Sequence, residues 1–302
     1  MPDDAASNNP SIDDAKSRIT VVVLTHNRCA ELLQTLALLE QLPERPRIVV
    51  VDNASQDGTQ HCVAQRHPRV RLIAQPVNAG AAARNAGVAC VETPYVAFCD
   101  DDTAWTPGSL AHAVELLDAW PRLGVVAARV LVGGGYRVDP ACERMAASRL
   151  PRVGLPGPRL AAFMAGAAVM RAEAFRAAGG YHPRLFLGAE EMLMSLDLAS
   201  QGWLILYDDR VTTHHRPSPR RDTSGRHLYL ARNRVWVACL RLPWPEAWRV
   251  AARALREAQA QGLLAPVLFA ALRGLPWALG ARRVVPAPVS QLWREAFAER
   301  VD

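Results

Sequence analysis

Tyr95-Val96-Ala97-Phe98-Cys99-Asp100-Asp101-Asp102 is a short apolar run of strand type that stops at three consecutive carboxylates. Side by side, those charges repel and are costly to bury. Two arrangements relieve them: a solvated acidic turn, or a cation held between them. Trp105, Pro107 and Gly108 follow at once, and the run before the acids has the unbroken apolar character of a buried strand. The acids therefore fall at a strand's carboxyl end, where open α/β sheets place their ligands. Hard oxygen ligands there suit Mg2+ or Mn2+, ions that typically bridge a diphosphate.

Upstream, Ile19-Thr20-Val21-Val22-Val23-Leu24 is a second continuous β-branched run, ending in Thr25-His26-Asn27-Arg28. The spacing of Leu32, Leu33, Leu36 and Leu39 predicts a helix over 31–42. A strand at 48–51 ends in Asp52-Asn53-Ala54-Ser55-Gln56-Asp57-Gly58-Thr59, followed by a helix at 59–66 and a strand at 70–74. A small-residue helix at 78–90, the strand at 95–99 and a helix at 109–120 complete a β-α-β-α-β-α-β series. Such alternation predicts an α/β fold with a parallel sheet and right-handed crossovers. Polar residues gather after the first, second and fourth strands, on one rim. Beyond 125 the regularity weakens. Gly133-Gly134-Gly135 and the Pro/Gly-rich 151–158 stretch are loops suited to shape an acceptor pocket. One strand is expected over 163–171, helices over 172–178 and 190–201, and a strand over 203–207 before His214-His215. From 232 onward the chain reads as helices interrupted by Pro243, Pro245, Pro266, Pro276 and Pro286.

With 302 residues, half of them apolar and 21% charged, the chain has the composition of a soluble globular protein with a sizeable core. Its net charge of +6 is carried almost wholly by arginine, since Lys16 is the single lysine. Cys29, Cys62, Cys90, Cys99, Cys142 and Cys239 show no metal-ligand spacing and read as reduced, buried thiols, which places the chain in the cytoplasm. The polar, acidic stretch 1–17 has no apolar signal region and is expected to be a disordered tail. Nothing like 18 uncharged apolar residues occurs in one run, which argues against a membrane span. Basicity without a nucleic-acid motif argues against a nucleic-acid partner.

Single features carry two readings each. Asp52 at its strand end can accept from a nucleobase N–H or a ribose hydroxyl, or merely cap the next helix. The small residues from Asn78 to Gly87 permit close backbone approach with Arg84 facing phosphate, or simply pack a helix tightly. The segment matches neither G-x-G-x-x-G nor a P-loop. Glu190-Glu191 at a helix start are dipole-compensating acids, or include a general base in a cleft. His214-His215 form a solvated pair, or supply a nitrogen ligand to the ion.

Their order along the chain decides. Val22-Val23-Leu24-Thr25-His26-Asn27-Arg28, Val51-Asp52-Asn53-Ala54-Ser55-Gln56-Asp57-Gly58-Thr59, Asn78-x-Gly80 with Arg84-Asn85-x-Gly87, the Asp100–Asp102 triplet as a D-x-D, Gly166, Gly179-Gly180-Tyr181 and Glu190-Glu191 come in sequence. This series, over about 18–234, resembles the inverting glycosyltransferases of family 2. The resemblance implies a GT-A fold: a mostly parallel sheet flanked by helices. It implies a nucleotide-sugar donor held by Thr25, Asn27, Arg28, Asp52, Asn78, Arg84, Asp100 and Asp101. Mg2+ or Mn2+ would sit on Asp100 and Asp102 with His214 completing the shell, and the acceptor would meet Gly166 and Trp105. By register Glu191, beside Glu190, takes the base position, while a later acid of the family pattern is replaced by Leu193.

On this reading 18–125 is the nucleotide-sugar half and 126–234 the acceptor half of one domain, with 235–302 a C-terminal helical extension. Seven arginines between 210 and 234 oppose one acid, Asp222, a strip able to meet a diphosphate or a lipid-linked phosphate. Trp248, Ala252, Leu255 and Gln259 share one side of a helix and Arg249, Arg253 and Arg256 another, while Phe269 and Trp277 lie in a second helix with a basic end. Amphipathic helices of this kind lie on the inner face of a membrane, pack on their own domain, or form a homodimer. The acceptor class is a saccharide or a lipid-linked sugar of cell-surface synthesis. A haloacid-dehalogenase-type phosphatase would need a lysine beyond the tail, and a nucleotidyltransferase a glycine-rich basic loop at 25–29; neither is present. A non-catalytic sugar-nucleotide-binding assembly partner is the remaining alternative, motivated by Leu193.

Overall fold

Valine- and isoleucine-rich stretches that predict buried strands do pair side by side in a computed structural model, which describes residues 18–134, 137–217 and 225–297. The expected tail over 1–17, Gly135, the middle of the basic strip with Arg220, Arg221 and Asp222, and the end of the extension at 298–302 lie outside the described residues. Strands β1 (Ile19–Thr25), β2 (Arg47–Asp52) and β3 (Arg71–Ala74) alternate with helices α1 (Cys29–Glu40) and α2 (Thr59–Arg66). A 3-10 turn (Gly80–Ala83) leads into α3 (Arg84–Ala89), then β4 (Tyr95–Asp100), β5 (Thr103–Trp105) and α4 (Ser109–Ala119). The middle of the chain forms β6 (Leu123–Val132), β7 (Arg137–Val138), α5 (Pro140–Ala146), β8 (Arg159–Leu160), β9 (Ala168–Arg171), α6 (Ala172–Ala177), α7 (Glu190–Ser200) and β10 (Leu204–His215). Four helices close the described chain: α8 (Arg226–Arg241), α9 (Trp244–Ala260), α10 (Leu264–Gly280) and α11 (Ala287–Phe297).

The strands form one sheet in the order β3-β2-β1-β4-β9-β6-β10-β5. The half from β3 to β4 is parallel as expected. The sheet as a whole is mixed, because β9 runs antiparallel to both β4 and β6, and β5 antiparallel to β10. Register sets Thr25 opposite Asp52 and Leu24 opposite Asp100, which brings the ends of β1, β2 and β4 to one rim. Val22, Val23, Val50, Val51, Phe98 and Cys99 are fully buried behind that rim, so the polar ends are held by a rigid apolar base. Gly87 lets α3 lie directly on the sheet: a methyl there would fall 2.5 Å from Val22 Cγ1.

Three expectations are corrected. The segment 163–171 is not one strand; a 3-10 turn (Ala165–Ala167) precedes a short β9. Pro276 does not interrupt α10, which runs through it. A proline ring costs a helix one hydrogen bond, and the packing of the helix's other face outweighs that loss. Helix α8 also runs unbroken through 234–235, where the extension was expected to begin.

Candidate functional site

Each of the three aspartates is paired with an arginine, and the buried Asp101 and Asp102 share one. Asp100 accepts from Arg84 Nη2, keeps a third of its side chain open to solvent (35%), and Arg84 itself is buried. Burial works against the Arg84 charge, but Asp100 together with Tyr181, Glu190 and Glu191 outweighs it and raises its pKa above the ordinary value. Asp101 accepts from Thr25 Oγ1 at 3.0 Å and from Arg28 Nη1 at 2.9 Å. Burial pushes its carboxyl up to about 6 against the pull of Arg28. Asp102 accepts from the same Arg28 nitrogen at 3.1 Å. The imidazole placed against Asp102 is that of His215, with Nε2 3.6 Å from Oδ2. His214, to which the sequence pointed, is the next residue back along β10.

A second group surrounds the ends of β1 and β2. Asp52 is fully buried, its Oδ1 accepting from the Ser55 N–H at 3.0 Å and its Oδ2 from Gln60 Nε2 at 2.7 Å. Asn27, with φ of 55°, receives the Gln56 N–H on its side-chain oxygen at 2.7 Å. Asn78 accepts from Asn53 Nδ2 at 2.8 Å, and Asn53 Oδ1 accepts from the Ala79 N–H at 2.8 Å. Asn53 also donates its own backbone N–H to the Thr25 carbonyl at 2.9 Å. It thereby ties β1, β2 and the 78–80 segment together, a role that sequence reasoning missed because it depends on residues 25 apart. An invitation was present in the sequence only as one more polar residue in the turn after Asp52.

The carboxylates of α7 complete the rim. Glu190 is buried with Oε2 unpartnered, and burial together with the adjacent Glu191 raises its pKa to about 8. Glu191 is only half-buried; its Oε1 accepts from the Ala165 N–H at 3.4 Å, and burial raises its pKa too. The turn carrying Ala165 also touches Asp100, for a methyl on Gly166 would lie 2.4 Å from Asp100 Oδ2. One 3-10 turn therefore separates Asp100 from Glu191. Leu193, where the resemblance expected an acid, is packed in the core beside Leu185, Ala189 and Trp236. Trp105 was expected at the acceptor and is corrected: it is 3% exposed within the main core, so it cannot stack on a sugar in this arrangement.

What aims α7 is a strained loop clamped by α8. Phe186 and Ala189 take left-handed φ values of 62° and Gly188 one of 86°, a conformation costly for side-chain-bearing residues. Asn233, fully buried, donates Nδ2 to the carbonyls of Leu185 at 2.7 Å, Leu187 at 3.0 Å and Gly188 at 2.6 Å. Arg232 adds a bond to Leu185 O at 3.1 Å and lies between the rings of Tyr229 and Trp236. The Phe186 carbonyl accepts from the Ala81 N–H at 2.7 Å, which links the loop to the 78–81 segment. Gly80 is needed there, since a methyl would fall 2.0 Å from that carbonyl oxygen.

Among the described residues no three His, Cys, Asp or Glu side chains converge to hold a metal ion. Mg2+-type sites commonly use one or two carboxylates and complete the shell with water and substrate phosphates. Asp100, open to solvent, and Asp102 offer that hard-oxygen set, so the residues fit such an ion with a diphosphate present.

Comparison with known proteins agrees with the geometry. The family model of glycosyl transferase family 2 matches residues 20–179. The N-acetylglucosaminyl-diphospho-decaprenol L-rhamnosyltransferase of Mycobacterium tuberculosis is 28% identical over 248 residues, covering 70% of this chain and 80% of that protein. The succinoglycan biosynthesis protein ExoO of Rhizobium meliloti is 35% identical over 114 residues, 37% of this chain and 33% of its own. Among solved structures, S. aureus TarS 1–349 in complex with UDP-GlcNAc superposes with a TM-score of 0.63 at 17% identity, over 91% of this chain and 83% of that one. The mannosyltransferase PcManGT from Pyrobaculum calidifontis, in complex with GDP-Man and Mn2+, gives 0.55 at 22% identity, over 98% and 88%. The mixed sheet with flanking helices is the GT-A fold.

Proposed function

Because the chain belongs to glycosyl transferase family 2, we propose that it moves a sugar from a UDP- or dTDP-activated donor to a hydroxyl of a lipid-linked saccharide, with inversion and with a divalent ion. The observation that carries this reading is the Ala165–Ala167 turn, which holds Asp100 on one side and Glu191 on the other. A donor diphosphate at Asp100 and an acceptor hydroxyl at Glu191 would meet across that single turn.

The roles follow from charge and exposure. Glu191, the more accessible of the two glutamates, takes the acceptor proton, and its raised pKa makes it the stronger base. Buried Glu190, its pKa pushed up to about 8, is largely protonated at neutral pH and so keeps a second negative charge away from Glu191. Mg2+ or Mn2+ on Asp100 and Asp102 would neutralise charge growing on the departing diphosphate. Arg84 holds Asp100, and Arg28 with Thr25 holds Asp101 and Asp102, which fixes the carboxylates before donor arrives. Asn27, Asn78 and Asp52 line the side where the nucleoside would lie; a base reaching Asp52 would displace the Gln60 amide. Attack from the side opposite the diphosphate is a single displacement and inverts the anomeric carbon.

Support for the acceptor class comes from the M. tuberculosis relative, whose name specifies a sugar-diphospho-decaprenol. A lipid-linked acceptor would put the work at the inner face of the cytoplasmic membrane, and no described helix is long and apolar enough to cross a bilayer. The test is turnover of UDP- and dTDP-sugars by Glu191→Gln against the wild type. Loss of turnover with donor binding retained is expected. Unchanged turnover would remove Glu191 from the mechanism, and a wild type that binds nucleotide without any turnover would make the chain a binding partner.

A further inference from the structure

Helix α10 has two faces with opposite fates. Val267, Ala271, Gly274 and Ala278 are buried against the protein. Trp236 Nε1 donates to the Ala271 carbonyl at 2.8 Å, and a methyl on Gly274 would fall 2.2 Å from that indole. Trp277, which the sequence placed in the amphipathic extension, packs edge-on against Trp236 and tilted against His182, with ring centres 5.7 and 4.8 Å away. The opposite face carries Leu268, Phe269, Leu272 and Leu279, and Phe269 and Leu272 are 66% and 62% exposed. Isolated exposed leucines are ordinary, but a row of them with a phenylalanine along one helix marks an interaction surface.

Charge says what covers it. Helix α10 contains no acid, and its one charged residue, Arg273, lies over the Phe269 ring. From 244 to 283 there are six arginines and two glutamates. Both acids are engaged: Glu246 by Arg249 and Arg294, Glu257 by Arg234 and Arg253. Arg282 stacks on Trp244 at 3.9 Å, and Trp244 and Trp248 are exposed. An apolar stripe with cationic and indole neighbours is complementary to anionic lipid, whose headgroups meet arginine while tryptophan sits at the interface. A second copy would instead bring a like-charged region against its equal. The stretches 1–17, 218–224 and 298–302 are polar or charged and offer no apolar cover.

We propose that the outward face of α10, with Trp244 and Trp248, rests on an anionic bilayer surface. It deepens the lipid-linked acceptor reading and rests on it for its purpose, though binding is measurable without turnover. Full-length protein is sedimented with vesicles of phosphatidylcholine alone and of phosphatidylcholine with phosphatidylglycerol. Binding to the anionic vesicles only, weakened by added salt, is expected. Phe269→Glu with Leu272→Glu should lower that partition about tenfold or more, with Tm and UDP-dependent stabilisation unchanged. Phe269→Ser with Leu272→Ser, which adds no negative charge, should lower it in the same direction. The proposal is overturned if the wild type binds neither vesicle, if the variants bind as well as the wild type, or if the wild type is a dimer that these variants make monomeric. A wild type that transfers sugar yet binds neither vesicle would sink this surface and leave the transferase reading standing.

Discussion

Replacing Glu190 by Gln removes a buried carboxyl whose pKa lies near 8. From about pH 4.5 to about pH 8 the unfolded chain releases that proton while the folded one keeps it, so stability falls as pH rises. Glu190→Gln should therefore raise Tm over the wild type by an amount that is small at acid pH and grows toward pH 8. A Tm difference independent of pH would contradict the assigned burial. Glu191→Gln should lower kcat by about 10^2 to 10^4-fold with donor affinity little changed, as loss of a general base does. The wild-type rate should climb with pH through a window above the ordinary carboxylate range, because Glu191 must lose its proton to act. Gly166→Ala should impair metal-dependent donor binding, since its methyl would strike Asp100. At this scale the sequence revealed the acids and arginines, whose chemistry is local. It misled at Trp105, whose burial depends on strand pairing that only the fold supplies.

Among the elements, the loop between Leu185 and Ala189 deserves the sharpest test because three of its residues sit at left-handed φ. Asn233→Ala would strip the amide from the Leu187 and Gly188 carbonyls, each loss worth about 1–3 kcal/mol if left unmade, while Leu185 O keeps Arg232 and the Leu187 N–H. It should reduce kcat more than donor KM and shift the pH profile of the rate, because α7 would no longer hold Glu191 in place. A variant with lower Tm but wild-type kcat and pH profile would reduce Asn233 to a stabilising role. The early elements were legible because continuous valine runs and leucine spacing speak for themselves. Strand β6 was not: its alanines and Gly124 give little β signal, and its neighbours β9 and β10 lie more than 35 residues away. The grip of Asn233 on a loop some 45 residues earlier leaves no local trace at all.

Across the molecule, one sheet joins the polar rim of β1, β2 and β4 to the helix that carries Glu190 and Glu191, whose preceding loop is held by α8. Motif order along the chain foretold the family and its fold, while the mixed strand directions needed tertiary pairing to appear. The central claim is that Asp100 and Asp102 hold a divalent ion on the donor diphosphate. Calorimetric titration of UDP and dTDP into the wild type and into Asp100→Asn with Asp102→Asn, each with and without Mn2+, tests it directly. Nucleotide affinity that rises with Mn2+ in the wild type and ignores Mn2+ in the variant is the predicted result; an equal Mn2+ effect in both, or none in the wild type, would contradict it.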